Sequence, residues 1–151
     1  MAENVSALMR AARYLRDSRA LSWVTASLAI VAGLGYIAFS PVTTTSHFNG
    51  AWPAILWGSA MLIGGVLKCH GLNTKVLDWQ LLGLGFMASG VLMVSTAQTM
   101  VMWESGWPPT RLGGVAGWWL TLVLVLNRMI MVASDRADGQ EAQQQVNERE
   151  G

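Results

Sequence analysis

Charge is what this sequence has least of. Only 13% of its 151 residues are Asp, Glu, Lys or Arg, about half the share of a soluble domain. The deficit is concentrated in stretches. None of these residues occurs from Ala20 to Leu67 (48 residues), from Trp79 to Trp103 (25) or from Leu112 to Asn127 (16). A small water-soluble domain must coat its surface with polar groups, so gaps of this length argue against a soluble enzyme. Cysteine is nearly absent too: Cys69 stands alone, which excludes an intrachain disulfide. Metal ligands are equally sparse. His47 and His70 fall on opposite expected sides of a membrane, and the Cys69-His70 pair brings no further ligand, too few for a zinc site. The glycines lie inside apolar stretches, which leaves no phosphate-cradling loop. No catalytic group, metal or cofactor is expected, and the chain is not expected to be an enzyme. Nor does anything point to nucleic acid: the net charge is +1, and the basic residues sit at the ends of apolar runs rather than in one patch.

What is present is apolar length. A spanning helix needs about 20 mostly apolar residues. The spacing predicts an all-α membrane protein with four transmembrane helices over residues 21–39, 51–67, 79–102 and 113–133, together a domain of residues 20–133. Pro41 and the polar 43–50 stretch stop the first span. Pro53 falls in the first turn of the second, where its missing N–H costs little. Residues 68–78 read as a short polar loop, and Gly106 with Pro108-Pro109 reads as a segment that forbids helix. The run from Ala20 to Phe39 is longer than the 7–15 residues of a signal h-region, so it reads as a retained span.

Both flanks are polar. In residues 1–19, Val5, Leu8, Met9, Ala12 and Leu15 follow helical spacing, while Arg10, Arg13, Arg16 and Arg19 recur every three residues. This is a basic amphipathic N-terminal helix for an anionic membrane surface, or else a solvated leader that only fixes topology. Residues 134–151 form a polar, acidic tail, either disordered or a solvated extension of the fourth span. Basic residues count toward orientation. With four spans, Arg10, Arg13, Arg16, Arg19, Lys68, Lys75, Arg128, Arg136 and Arg149 share one side, and only Arg111 lies on the other. The expectation is N-in/C-in, with both termini cytoplasmic in a bacterial cytoplasmic membrane. The tryptophans fit aromatic belts, with Trp52, Trp103, Trp107, Trp118 and Trp119 near the outer boundary and Trp23 and Trp79 near the inner one.

Helix packing offers the clearest candidate contacts. Ala29/Gly33, Ala60/Gly64, Gly85/Ser89 and Gly113/Gly117 each follow the small-xxx-small spacing that lets membrane helices approach closely. These pairs either pack the monomer or join copies into a homo-oligomer. Ser95, Thr96, Gln98 and Thr99 suit hydrogen bonds between helices. Arg128, beside Asn127, is a charge near a span interior. Its long side chain is close enough to the inner end to snorkel to the headgroups. The other reading places Asn127 and Arg128 on a pore-lining or partner-facing surface.

The stretch Pro53-Ala54-Ile55-Leu56-Trp57-Gly58-Ser59-Ala60-Met61-Leu62-Ile63-Gly64-Gly65-Val66-Leu67 resembles a span of small four-span membrane proteins of phages infecting actinobacteria. The basic leader, four spans and charged tail are similar in layout. Some of those proteins are holins or holin-like. The resemblance therefore implies a protein that oligomerises laterally in the lipid bilayer and permeabilises it during lysis, releasing or activating an endolysin without touching it. The basic leader and acidic tail would tune timing. The alternative is a non-lytic accessory, superinfection-exclusion or scaffolding protein acting through helix packing. The resemblance supplies no site residues.

Overall fold

The computed structural model describes residues 19–39, 48–106 and 108–150. Four helices follow in chain order: α1 (Arg19–Ala38), α2 (Trp52–Thr74), α3 (Leu77–Glu104) and α4 (Pro109–Glu150). All four are long and apolar enough to cross a membrane, and no strand occurs among the described residues. The chain is an all-α, multi-pass membrane protein. The expected amphipathic helix, with Arg10, Arg13 and Arg16, lies outside the described residues; Arg19 opens α1.

Helix boundaries depart from the sequence expectation at three places, each for a local reason. The expected 68–78 loop shrinks to Lys75-Val76. Helix α2 runs through Lys68, Cys69 and His70 to Thr74, then turns at Lys75 in the left-handed conformation (φ 60°) and at Val76 in the extended one. A two-residue connection forces α2 and α3 into an antiparallel hairpin. Asp78 then sits in the first turn of α3, where its charge favours the helix dipole. Pro109 does not forbid helix: it opens α4, at a position whose N–H has no intrahelical partner. The turn before it is made by Gly106 at φ 74°, a conformation that costs glycine little. At the other end, α4 does not stop at Ala133 but continues to Glu150, 42 residues in all. At 1.5 Å per residue that is about 63 Å, twice the hydrocarbon thickness of about 30 Å. The tail is thus a solvated helical extension of the fourth span. An exposed ion pair ties it back to the α2–α3 turn, Arg136 Nη1 to Asp78 Oδ1 at 3.0 Å.

The helices pack in sequence order, α1 on α2, α2 on α3 and α3 on α4. Without a hydrophobic force between helices in lipid, close packing has to supply the attraction. Glycine makes it possible. A Cβ on Gly58 would lie 2.6 Å from the Gly33 carbonyl oxygen, and one on Gly33 would lie 2.6 Å from that of Gly58. Gly64 and Gly83 stand in the same reciprocal relation across α2 and α3, each 2.7 Å from the other's oxygen. Gly65 abuts α1, while Gly71 and Gly90 occupy the α2–α3 seam. Helix α2 therefore carries two glycine faces, Gly58 and Gly65 toward α1 and Gly64 and Gly71 toward α3. Both are spaced by seven residues, the period of a left-handed crossing. Gly83 and Gly90 answer from α3 at the same interval.

Side chains fill what the glycines leave. Trp57, Met61, Val91, Val94, Ala97 and Leu122 form one core cluster, and Ala29, Leu84, Met87, Val125 and Val132 form another. Gly64→Ala is expected to lower stability by about 1–3 kcal/mol, the cost of overpacking a close contact. Gly85 meets nothing within 4 Å, so Gly85→Ala is expected to leave stability unchanged or raise it by up to about 1 kcal/mol. Reversible unfolding in mixed detergent micelles measures both. Equal losses at the two positions would contradict the packing described.

Candidate functional site

Helices α1 and α4 close the bundle, but they do so around an opening. A crevice of about 880 Å³ lies between them, with walls from all four helices. It is held at both ends. At one end the Tyr36 ring packs against Trp118 of α4 (6.1 Å between centroids) and edge-on against Trp57 of α2 (6.4 Å). Phe48 adds a further edge contact on Trp57. Aromatic pairs of this geometry contribute about 0.5–1.5 kcal/mol beyond burial. At the other end the closure is polar: Arg128 Nη2 donates to Ser22 Oγ at 3.1 Å.

Between these ends the lining is mostly apolar, including Leu28, Ala32, Met61, Met87 and Val91, with Thr121 donating back to the Gly117 carbonyl of its own helix. The polar end is different. Ser22, Thr25, Lys68, Asn127 and Arg128 all border the crevice there. Lys68 is buried, 2% exposed, and its Nζ donates to Thr25 Oγ1 at 2.6 Å. The Thr25 hydroxyl donates in turn to the Ser22 carbonyl at 3.0 Å. A polar chain thus runs from α2 through α1 to α4. Lys68 makes no ion pair among the described residues, and the cationic Arg128 borders the same end of the crevice.

The sequence candidates divide cleanly. Gly33 and Gly64 sit at backbone contacts, Ala29 is buried in the core, and Ala60 is half-buried. A Cβ at Gly85, Gly113 or Gly117 would meet nothing within 4 Å, so these three make no close helix contact in the monomer. Ser89 bonds locally, to the Phe86 carbonyl. Asn127 is exposed at the crevice mouth, and Arg128 is half-buried with Ser22 as a partner inside the chain. Of the polar set on α3, Ser95, Thr96 and Thr99 donate to carbonyls one turn back. Thr99 also bridges helices, accepting from Trp119 Nε1 at 3.0 Å. His70 packs edge-on against Trp79 at 5.6 Å; among the described residues no three His, Cys, Asp or Glu side chains are grouped to hold a metal. Sequence reasoning missed Ser22, Thr25 and Lys68. Lys68 reads as a loop residue because a charge normally marks the end of a span.

The polar chain has a testable energetic asymmetry. Thr25→Val removes the acceptor and leaves a buried ammonium unsatisfied, at a cost of about 1–3 kcal/mol. Lys68→Met removes the charge itself and is expected to be neutral or stabilising, as when buried charges are replaced by apolar groups of similar volume. Unfolding of the two variants in the same micelles compares them, and a larger loss for Lys68→Met would contradict the arrangement.

Comparison with protein-family models, curated proteins and solved structures finds no match to this chain, so its function is argued from its own geometry.

Proposed function

We propose that this multi-pass protein is holin-like: it resides in a bacterial cytoplasmic membrane with both termini inside, self-associates, and permeabilises that membrane during phage lysis. The observation that carries the reading is the set of small residues left unused by the monomer. Gly113 and Gly117 on α4, with Gly85 on α3, meet nothing within 4 Å, although they lie on membrane-length helices where close approach is the main source of attraction. Around them α4 exposes Leu112, Trp119, Leu120 and Val123, a surface that lipid or a second copy would cover. The basic residues support the orientation: Arg19, Lys68, Lys75, Arg128 and Arg136 lie toward the α2–α3 turn end, Arg149 lies farther along the α4 extension, and Arg111 starts α4 at the other end.

A second reading is a non-lytic accessory or exclusion protein working through the same helix faces. It is favoured by the placement of Lys68 and Arg128, both of which border a crevice within the chain instead of an outer face that could line an aqueous lesion. Inducible expression in a bacterium separates the readings. The proposal expects abrupt loss of membrane potential, with lysis once an endolysin is supplied. It also expects the double variant Gly113→Leu/Gly117→Leu, which crowds nothing in the monomer, to accumulate normally and to delay or abolish that loss. Normal growth at high expression of the parent chain would sink the holin reading and leave the accessory one.

A further inference from the structure

The crevice between α1 and α4 has the chemistry of a lipid site. Its volume of about 880 Å³ falls in the range of ligand pockets, about 300–1,000 Å³. Most of its wall is apolar, and at its rim Leu28 of α1 and Leu124 of α4 are exposed. The opening therefore faces the region where acyl chains lie. Apart from Thr121, whose hydroxyl is spent on the Gly117 carbonyl, its polar side chains are gathered at one end, and that end is cationic. Lys68 is 2% exposed, borders the crevice, and spends one of its three ammonium donors on Thr25. Arg128 borders the same end of the crevice. A buried ammonium without a counter-ion is costly, and an anion between Lys68 and the half-buried Arg128 would lower that cost through charge-assisted hydrogen bonds.

Depth agrees with this occupant. Lys68 lies seven residues before the helix-ending Lys75 and Thr25 six residues after Arg19, about 10 Å into the bundle at the helical rise. That is the level at which a headgroup meets its acyl chains. A free phosphate would satisfy the cations but leave the apolar length of the crevice empty. A zwitterionic lipid would fill the length but bring its own cation to Lys68 and Arg128.

We infer that the α1–α4 crevice binds one anionic phospholipid of the surrounding leaflet, its phosphate held by Lys68 and Arg128 and an acyl chain laid along Leu28, Ala32 and Met87. The inference requires only the membrane-spanning fold and is independent of whether the protein opens lesions.

Native mass spectrometry of the purified full-length protein tests it, with three probes: dioleoylphosphatidylglycerol, dioleoylphosphatidylcholine and glycerol 3-phosphate. The expected result is one phosphatidylglycerol retained with about tenfold preference over phosphatidylcholine, and no competition from glycerol 3-phosphate. Lys68→Met should bring phosphatidylglycerol retention down to the phosphatidylcholine level. Ala32→Trp, which blocks the apolar end and leaves the cations in place, should lower retention of both lipids and keeps the test decisive if the Lys68 variant folds poorly. Equal retention of the two lipids by the parent chain would overturn the inference. So would unchanged selectivity in a folded Lys68→Met protein, or glycerol 3-phosphate displacing the lipid, which would mark a free-anion site. A dimer that forms only as lipid leaves would assign the crevice to a second copy and equally overturn it.

Discussion

The backbone of α2 touches two neighbours at once, and the rest of the bundle is arranged around that fact. Residues Gly58 and Gly65 bring it against α1, and Gly64 and Gly71 bring it against α3. In a bilayer, burying apolar area adds little, because lipid tails are as apolar as leucine. Attraction has to come from atoms in contact, and backbones can touch only where no Cβ intervenes. The seven-residue interval keeps each face turned toward its partner along the helix. The two-residue turn at Lys75-Val76 then fixes the α2–α3 register. Three helices are thereby set by geometry that tolerates almost no added volume.

Helix α4 is attached by other means. Its glycines face open space, and it joins the bundle through side chains: Leu122, Val125 and Val132 in the core clusters, Trp119 on Thr99, Trp118 on Tyr36, and Arg128 on Ser22. Side chains hold helices further apart than glycines do. The crevice between α1 and α4 is the consequence, bounded by an aromatic contact at one end and a polar one at the other. The same division leaves α4 with an unused small-residue face. The features on which the functional proposals rest therefore follow from where glycine was and was not spent on internal packing.

Much of this was legible in the sequence. Three charge-free runs became four helices, the longest run holding two of them, because a lipid-exposed segment must satisfy every backbone group internally. The turn at Ser105-Gly106 was visible in Gly106. The limits of the runs were less so. A charge normally marks the end of a span, yet Lys68 lies six residues inside the end of α2, with Thr25 accepting a hydrogen bond from its ammonium across the interface. The tail beyond Ala133 could have been coil or helix; it is helix, with Arg136 paired to Asp78 near its start. Of the small-residue pairs, the four-residue spacing found Gly33 and Gly64 but also Gly113 and Gly117, which make no close helix contact in the monomer. The signal that separates them is the seven-residue interval of Gly58/Gly65, Gly64/Gly71 and Gly83/Gly90, a pattern that emerges once the helices are known to be neighbours. The crevice was not legible at all, because Ser22, Thr25, Lys68 and Arg128 are brought together from three helices far apart in the chain.

The backbone contacts of α2 carry the rest of the bundle, and solid-state NMR of the unaltered chain in lipid bilayers, with its glycines carbon-13 labelled, reads them directly. A Cβ at Gly33, Gly58, Gly64 or Gly83 would fall within 2.7 Å of a carbonyl oxygen on the facing helix, so these backbones lie in contact. The expected result is a pair of through-space correlations, Gly33 with Gly58 and Gly64 with Gly83, within a single chain. Absence of either correlation, or its appearance only between chains, would contradict the account.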